Sequence, residues 1–352
     1  MKNSKAIQTC TRCILNSQVP NITFDNHGVC NFCLDYDEEK KYLNRDYPAL
    51  EKKMLSILNV GKSKQYDCMV LYSGGKDSTY MLYKLANHYN LKVLAFTFDN
   101  HFIPPETYAN IDRVLKKINV DHIVYKPSWN LNKTIFNASF QSSSLKTRSQ
   151  ELAFLIGHAC WPCFSQIALH SFKIAAEKNI KNVVVGTTPG QLRQKKFDLK
   201  SKFSGVSDAY YNMISPMIEL LKTLGKSQTI STLDPGLAIK LKIARMNLVP
   251  FFEYNQYNEH QVYETIEREL DWRRTKSTDS CSTNCQLNSL GIAIHQLKYN
   301  LHPYVIPLAR DVREGLMTRD EALKVVSGEV NEKLVNHIAE SFDLDLKKIA
   351  NS

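Results

Sequence analysis

An open parallel sheet with helices on both faces, carrying a small N-terminal cysteine knuckle and a mostly helical C-terminal region, is the α/β architecture that this sequence predicts. Three observations carry the prediction. Short β-branched runs alternate with helical stretches from Tyr66 to Val185; the first run, Cys68-Met-Val-Leu-Tyr72, leads straight into Ser73-Gly-Gly-Lys-Asp-Ser78; and six of the nine cysteines stand in three Cys-x-x-Cys pairs. Strands alternating with helices imply parallel pairing with both faces of the sheet covered. The expected boundaries are 1–60 for the knuckle and a linker helix, 61–225 for the sheet domain and 226–352 for the helical region.

The first two pairs, Cys10-Thr-Arg-Cys13 and Cys30-Asn-Phe-Cys33, flank a short ribbon that ends in a turn rich in Asp, Asn and Gly. Four thiolates from two such turns close tetrahedrally around Zn²⁺, and the ion supplies folding energy to a piece too small for its own core. His27 reads as a turn residue. A charged helical connection follows, with Leu50, Met54, Leu55 and Leu58 at helical spacing, and the segment from Gly61 to Gln65 marks a break. Strands are then expected at 66–72, 92–98, 122–125 and 182–185, and helices at 79–88, 104–118, 145–157 and 166–178. Ligands should lie beyond the carboxyl ends of the strands. Further on, helices are expected at 210–224, 237–246 and 261–272, the first two separated from the third by Asn247-Leu-Val-Pro250 and polar, tyrosine-rich residues. His260, His295 and His302 lack metal-site spacing. Asp271-Trp-Arg-Arg274 is either a surface helix end or a segment that closes over a nucleotide.

A chain of 352 residues accommodates one large domain with appendages, or two domains. Its net charge of +10 is spread out, which permits nucleic acid, nucleotide or anionic sugar partners and selects none of them. Met1 to Gln18 holds no apolar targeting segment and no run approaches membrane-spanning length, so the expectation is a cytoplasmic protein without membrane insertion. The paired cysteines argue for metal or redox work in a reducing compartment rather than a disulfide scaffold.

Neither Gly-x-Gly-x-x-Gly nor Gly-x-x-x-x-Gly-Lys-Ser/Thr is present. A strand followed by Ser-Gly-Gly-Lys-Asp-Ser and a helix resembles the PP-loop ATP pyrophosphatases. The resemblance implies an adenine nucleotide alpha hydrolase-like fold, and ATP cleaved between its α and β phosphates to leave AMP on a substrate oxygen. It further implies that Gly74 and Gly75 let the backbone approach the leaving phosphates, Ser73 and Ser78 donate to them, Lys76 neutralises charge and Asp77 helps to hold Mg²⁺. Asp99, at a strand end, is either an adenosine contact or a solvated carboxylate. Gly186 opens a turn whose amides can line the AMP pocket. Arg193, within Gln191-Leu-Arg-Gln-Lys-Lys196, is the preferred contact to an anionic substrate, with Arg148 and Lys126 as lesser candidates.

Two separated segments, the knuckle with its Ile22-Thr-Phe-Asp-Asn-His-Gly28 ribbon and the tail Arg313-Glu-Gly-Leu-Met-Thr-Arg-Asp-Glu-Ala-Leu323, resemble the N-acetyl sugar amidotransferases of surface-polysaccharide biosynthesis. So does the stretch from Tyr66 to Ser78. That likeness implies amido transfer to a nucleotide-linked N-acetyl sugar. No cysteine sits in a glutaminase elbow, so a separate glutaminase would have to supply ammonia. The departure is Cys160-Trp-Pro-Cys163, with Cys281 and Cys285 far downstream. Their placement resembles the iron–sulfur tRNA thiolation enzymes, which implies a [4Fe-4S] cluster, a sulfur donor and a tRNA or small heterocyclic acceptor. A second Zn²⁺ site and unligated thiols are the other readings of these four cysteines, and either Cys281 or Cys285 would serve as the third cluster ligand. A nucleotide-binding regulatory protein without turnover is the reading of a different class.

Overall fold

The computed structural model describes residues 7–43, 46–60, 65–141, 147–188, 191 and 213–350. Its centre is one five-stranded parallel sheet built from β1 (Cys68–Leu71), β2 (Val93–Phe98), β3 (Asp121–Tyr125), β4 (Asn182–Val185) and β5 (Asn247–Pro250), in the order β3-β2-β1-β4-β5. The register aligns Cys68 with Val93 and Leu71 with Phe96, and on the other side Met69 with Val183. Period-two alternation divides the strands between two apolar layers. Met69, Leu94, Phe96 and Val183 face one core, while Cys68, Val70, Ala95 and Val184 face the other. Cys68 is thereby explained as packing, and burial raises its thiol far above the ordinary value.

The expected parallel sheet with helices on both faces is what the chain forms, with shifts at several elements. The helix after the phosphate loop runs Lys76–Tyr83 and widens into a π turn at Lys84–His88. An additional helix, beyond those the sequence predicts, runs Trp129–Gln141. Its polar Asn130, Asn132 and Lys133 blur the apolar stripe, yet buried Asn132 spends its amide on the Asn100 carbonyl, 2.9 Å away. The helix expected from Gln166 begins at Cys160, so the third Cys-x-x-Cys forms its first turn, where Pro162 is tolerated.

The separator Asn247-Leu-Val-Pro250 is instead the fifth strand. Val249 is buried, Asn247 N donates to Lys181 O at 2.7 Å, and Pro250 ends a sheet edge, where a missing N–H costs no ladder bond. The sheet therefore takes its last strand from beyond residue 225.

The remaining C-terminal chain is helical, with helices at Leu287–Tyr299, Val305–Glu314, Arg319–Val326 and Glu332–Ser341. Gly315 stops one helix at φ +73° and Thr318 starts the next through a capping box with Glu321, as the tail sequence indicates. This region wraps back onto the knuckle: Leu301, Val305, Ile306, Ala309 and Ala322 share a core with Ile14, Leu15 and the four N-terminal cysteines. No single helix among the described residues is long and apolar enough to cross a membrane.

Candidate active site and cysteine centres

β1 has neighbours on both sides, so the chain leaves it once towards β2 and later reaches β4 on the opposite side. Such a switch point opens a crevice at the carboxyl ends of the strands. Ser73 to Ser78 fill that point, and Gly186 follows β4 directly opposite. Gly74 has φ +76°, and a Cβ there would come within 2.8 Å of Ile111 and 2.9 Å of Thr107, so both backbone conformation and space require glycine. Ser78 Oγ accepts from Ser73 N at 3.1 Å and lies 3.0 Å from Ser73 Oγ, while Gly75 N donates to Ser73 Oγ at 3.3 Å. The two serines thus tie the ends of the loop together.

Lys76 Nζ lies 2.9 Å from both carboxylate oxygens of Asp77, 2.8 Å from Tyr257 Oη and 3.2 Å from Glu259. Burial opposes its charge, but Asp77, Tyr257 and Glu259 outweigh that cost and hold the ammonium well above its ordinary pKa. Tyr257 Oη also donates to Asp77 at 3.0 Å. Trp272, fully buried, donates its indole N–H to the Gly74 carbonyl at 2.9 Å. Sequence reasoning did not single out Tyr257 or Glu259, because they stand 180 residues downstream with no motif of their own. In the 271–274 segment the tryptophan supports the loop from within the core, and Arg274 reaches the pocket wall.

Asp99 sits behind that wall. Its carboxylate accepts from His101 N at 2.7 Å and Tyr108 Oη at 2.7 Å and pairs with Lys126 at 2.8 Å; against the cost of burial these partners hold it below the usual carboxylate range. The pocket face at this strand end is given to Asn100. Arg148 pairs with Glu151 on the surface. Arg193 lies outside the described residues.

The two cysteine sets differ in kind. Cys10, Cys13, Cys30 and Cys33 are all fully buried and their four sulfurs lie within 4.8 Å of one another. Cys10 and Cys33 sulfurs are 3.9 Å apart, Cys13 and Cys30 sulfurs 3.7 Å. A tetrahedron with metal–sulfur bonds of about 2.3 Å has edges of about 3.8 Å. Hydrogen bonding among the sulfurs draws the Cys13 and Cys30 thiols down and pushes Cys10 and Cys33 up, so a cation is needed to ionise all four. Arg313 Nη1 lies 3.6 Å from Cys13 Sγ, and Arg319 donates to the Cys13 carbonyl at 3.0 Å and the Cys10 carbonyl at 3.1 Å. His27 is exposed and outside this set.

Cys160, Cys163, Cys281 and Cys285 are half-buried and open into the same cavity of about 400 Å³ as the phosphate loop. Asn100 Nδ2 touches two of the sulfurs, Cys285 at 3.2 Å and Cys163 at 3.8 Å. Cys160 Sγ lies 3.5 Å from Asn288 Oδ1, which also accepts from Tyr304 Oη at 3.0 Å. Burial raises all four thiols, Cys160 and Cys281 to about 12. Without a metal they are protonated and weak nucleophiles. His158, two residues ahead, is a core histidine whose Nδ1 meets the Ser139 carbonyl at 2.9 Å.

Comparison with known proteins gives a match over the front of the sheet domain. Residues 67–156 match the model of the phosphoadenosine phosphosulfate reductase domain. An uncharacterised protein of Methanocaldococcus jannaschii is 25% identical over 116 residues, 33% of this chain; the match spans 41% of that relative's length. Among solved structures, a U34-tRNA thiolase from Methanococcus maripaludis with its [4Fe-4S] cluster is similar with TM-score 0.34 and 14% identity, covering 96% of this chain and 99% of that one. An NMN synthetase from Francisella tularensis follows with TM-score 0.39, 12% identity and coverages of 86% and 98%. At those scores neither bears on chemistry. The strand order, the complete Ser-Gly-Gly-Lys-Asp-Ser loop and the matched domain define the class at the level of fold: a parallel α/β sheet domain with a glycine loop at its switch point.

Proposed function

We propose that this chain is an ATP-dependent sulfur transferase. In this reading the phosphate loop takes the β and γ phosphates, and Cys160, Cys163 and Cys285 hold an iron–sulfur cluster. One observation carries the reading: the loop and the second cysteine set line one cavity. A purely structural ion site has no reason to open onto a nucleotide pocket, and the N-terminal set shows how such a site closes when it is structural. Cys285 is preferred over Cys281 because it shares the Asn100 amide with Cys163. Thiolates are the ligand type that iron–sulfur clusters select, and a bound cluster with three protein ligands supplies an open coordination position for sulfide.

The residues divide the remaining work. Loop amides and Lys76 stabilise departing pyrophosphate, Asp77 serves Mg²⁺ once phosphate draws Lys76 away, and Gly186 leaves room for AMP. Adenylation makes a carbonyl oxygen of the acceptor a leaving group, and sulfur from the cysteine end of the cavity displaces AMP. A tRNA base or another heterocycle is the acceptor class, and Zn²⁺ occupies the Cys10–Cys33 knuckle. Anaerobically purified protein is expected to contain iron, labile sulfide and one zinc, to lose the iron in Cys285→Ala, and to release pyrophosphate faster with tRNA. Zinc without iron, and turnover indifferent to tRNA, would reject the proposal.

Amido transfer to a nucleotide-linked acetamido sugar is the second reading. Its support is that the two segments resembling sugar amidotransferases pack together, Arg313 and Arg319 meeting the Cys10–Cys13 turn. It requires pyrophosphate release that depends on the sugar nucleotide and ammonium.

A further inference from the structure

The turn that carries Cys281 and Cys285 also occupies the phosphate loop. Lys76 N donates to Thr283 Oγ1 at 3.2 Å, and Asn284 Nδ2 donates to the Ser73 carbonyl at 3.4 Å. A Cβ on residue 75 would lie 3.0 Å from Thr283 Oγ1 and 3.1 Å from Asn284 Oδ1, so the second glycine makes room for this turn. Amides at the first turn of a helix that follows a glycine loop are the donors an anion takes. A threonine hydroxyl already stands at one of them. One N–H serves one acceptor well, so Thr283 and a phosphate oxygen compete for Lys76 N.

The same turn is tied to the cysteines without slack. Ser282 Oγ accepts from Cys285 N at 3.1 Å and Asn284 N at 3.4 Å, and Asp279 accepts from Cys281 N at 2.8 Å. Cys285 Sγ in turn lies on Asn100, at the end of β2. Thr283 is two residues from each cysteine, so displacing its side chain shifts the segment on which both sulfurs ride.

We propose that Thr283 is a positioning residue coupling the two ends of the cavity: a pyrophosphate group arriving at the Lys76 amide displaces the Thr283 hydroxyl, and the turn moves Cys281 and Cys285. The inference rests on the phosphate-loop part of the function proposed above and is independent of which metal the second cysteine set holds.

The test uses full-length protein as purified, magnesium pyrophosphate as the probe, calorimetry for affinity, and peptide-resolved maleimide labelling of Cys281, with the buried Cys68 staying unlabelled as the control against unfolding. Pyrophosphate is expected to change the Cys281 labelling rate in the wild type. Thr283→Ala should bind pyrophosphate about fivefold more tightly, the equivalent of one net hydrogen bond of about 1 kcal/mol, and should lose the labelling response. Thr283→Ser should restore both. Equal or weaker binding by Thr283→Ala, or wild-type labelling that ignores bound pyrophosphate, overturns the coupling while leaving the phosphate loop standing. No pyrophosphate binding by any variant removes the loop reading and the coupling together.

Discussion

Replacing Trp272 with Phe tests whether the C-terminal region is part of the nucleotide site or merely packs beside it. The indole is 1% exposed and its N–H is bonded to the Gly74 carbonyl at 2.9 Å. Phenylalanine keeps most of the apolar contact with the core that Tyr263 adjoins, so the main loss is one buried hydrogen bond. An acceptor left unpaired costs about 1–3 kcal/mol. Gly74 holds φ +76°, and its carbonyl is fixed by that bond, so the cost is expected to fall on the loop's phosphate-binding shape. At about 1.4 kcal/mol per factor of ten, affinity for ATP or pyrophosphate should drop about 5- to 140-fold. Calorimetric titration beside urea denaturation separates the two effects. Wild-type nucleotide affinity together with lowered stability would refute the reasoning, because the indole would then serve packing alone.

Arg319→Met removes the donors to the Cys10 and Cys13 carbonyls, and the knuckle should release its metal to a chelator several-fold faster; an unchanged rate would show that the tail does not brace the site. Lys76→Met leaves Asp77 and Glu259 facing Tyr257 without their cation, and ATP cleavage should fall at least a hundredfold in a pyrophosphate-release assay. Burial pushes His170 and His302 down to about 4, so both are neutral in the fold and titrate near 6.5 once unfolded. Their contribution is complete above about pH 6.5 and is lost as pH falls towards 4, at about 1.4 kcal/mol per pH unit for each histidine. His302 Nδ1 also accepts from Tyr304 N, a bond that protonation abolishes. Urea midpoints measured from pH 7.5 to 5 should therefore fall less steeply in His302→Asn, which retains an acceptor.

The sequence alone was enough for the sheet's first four strands, the phosphate loop and the N-terminal knuckle, because each is written in contiguous residues: an apolar run, a glycine turn, a pair of cysteines two apart. Local periodicity and backbone chemistry decide such features before any long-range contact forms. Asn247–Pro250 was illegible as a strand because four residues ending in proline carry no period, and only hydrogen bonding to β4 makes them one. Likewise Tyr257, Trp272 and Thr283 are ordinary residues in a helical stretch or a polar turn until the chain folds back and brings them to Lys76 and Gly74. Each cysteine set contains a Cys-x-x-Cys pair, but the two differ in geometry. Tertiary packing decided that one closes around a single point while the other stays open to the cavity that the Ser73–Ser78 loop also lines, since the distance between turns far apart in sequence is set by the core between them and not by the residues in the turns.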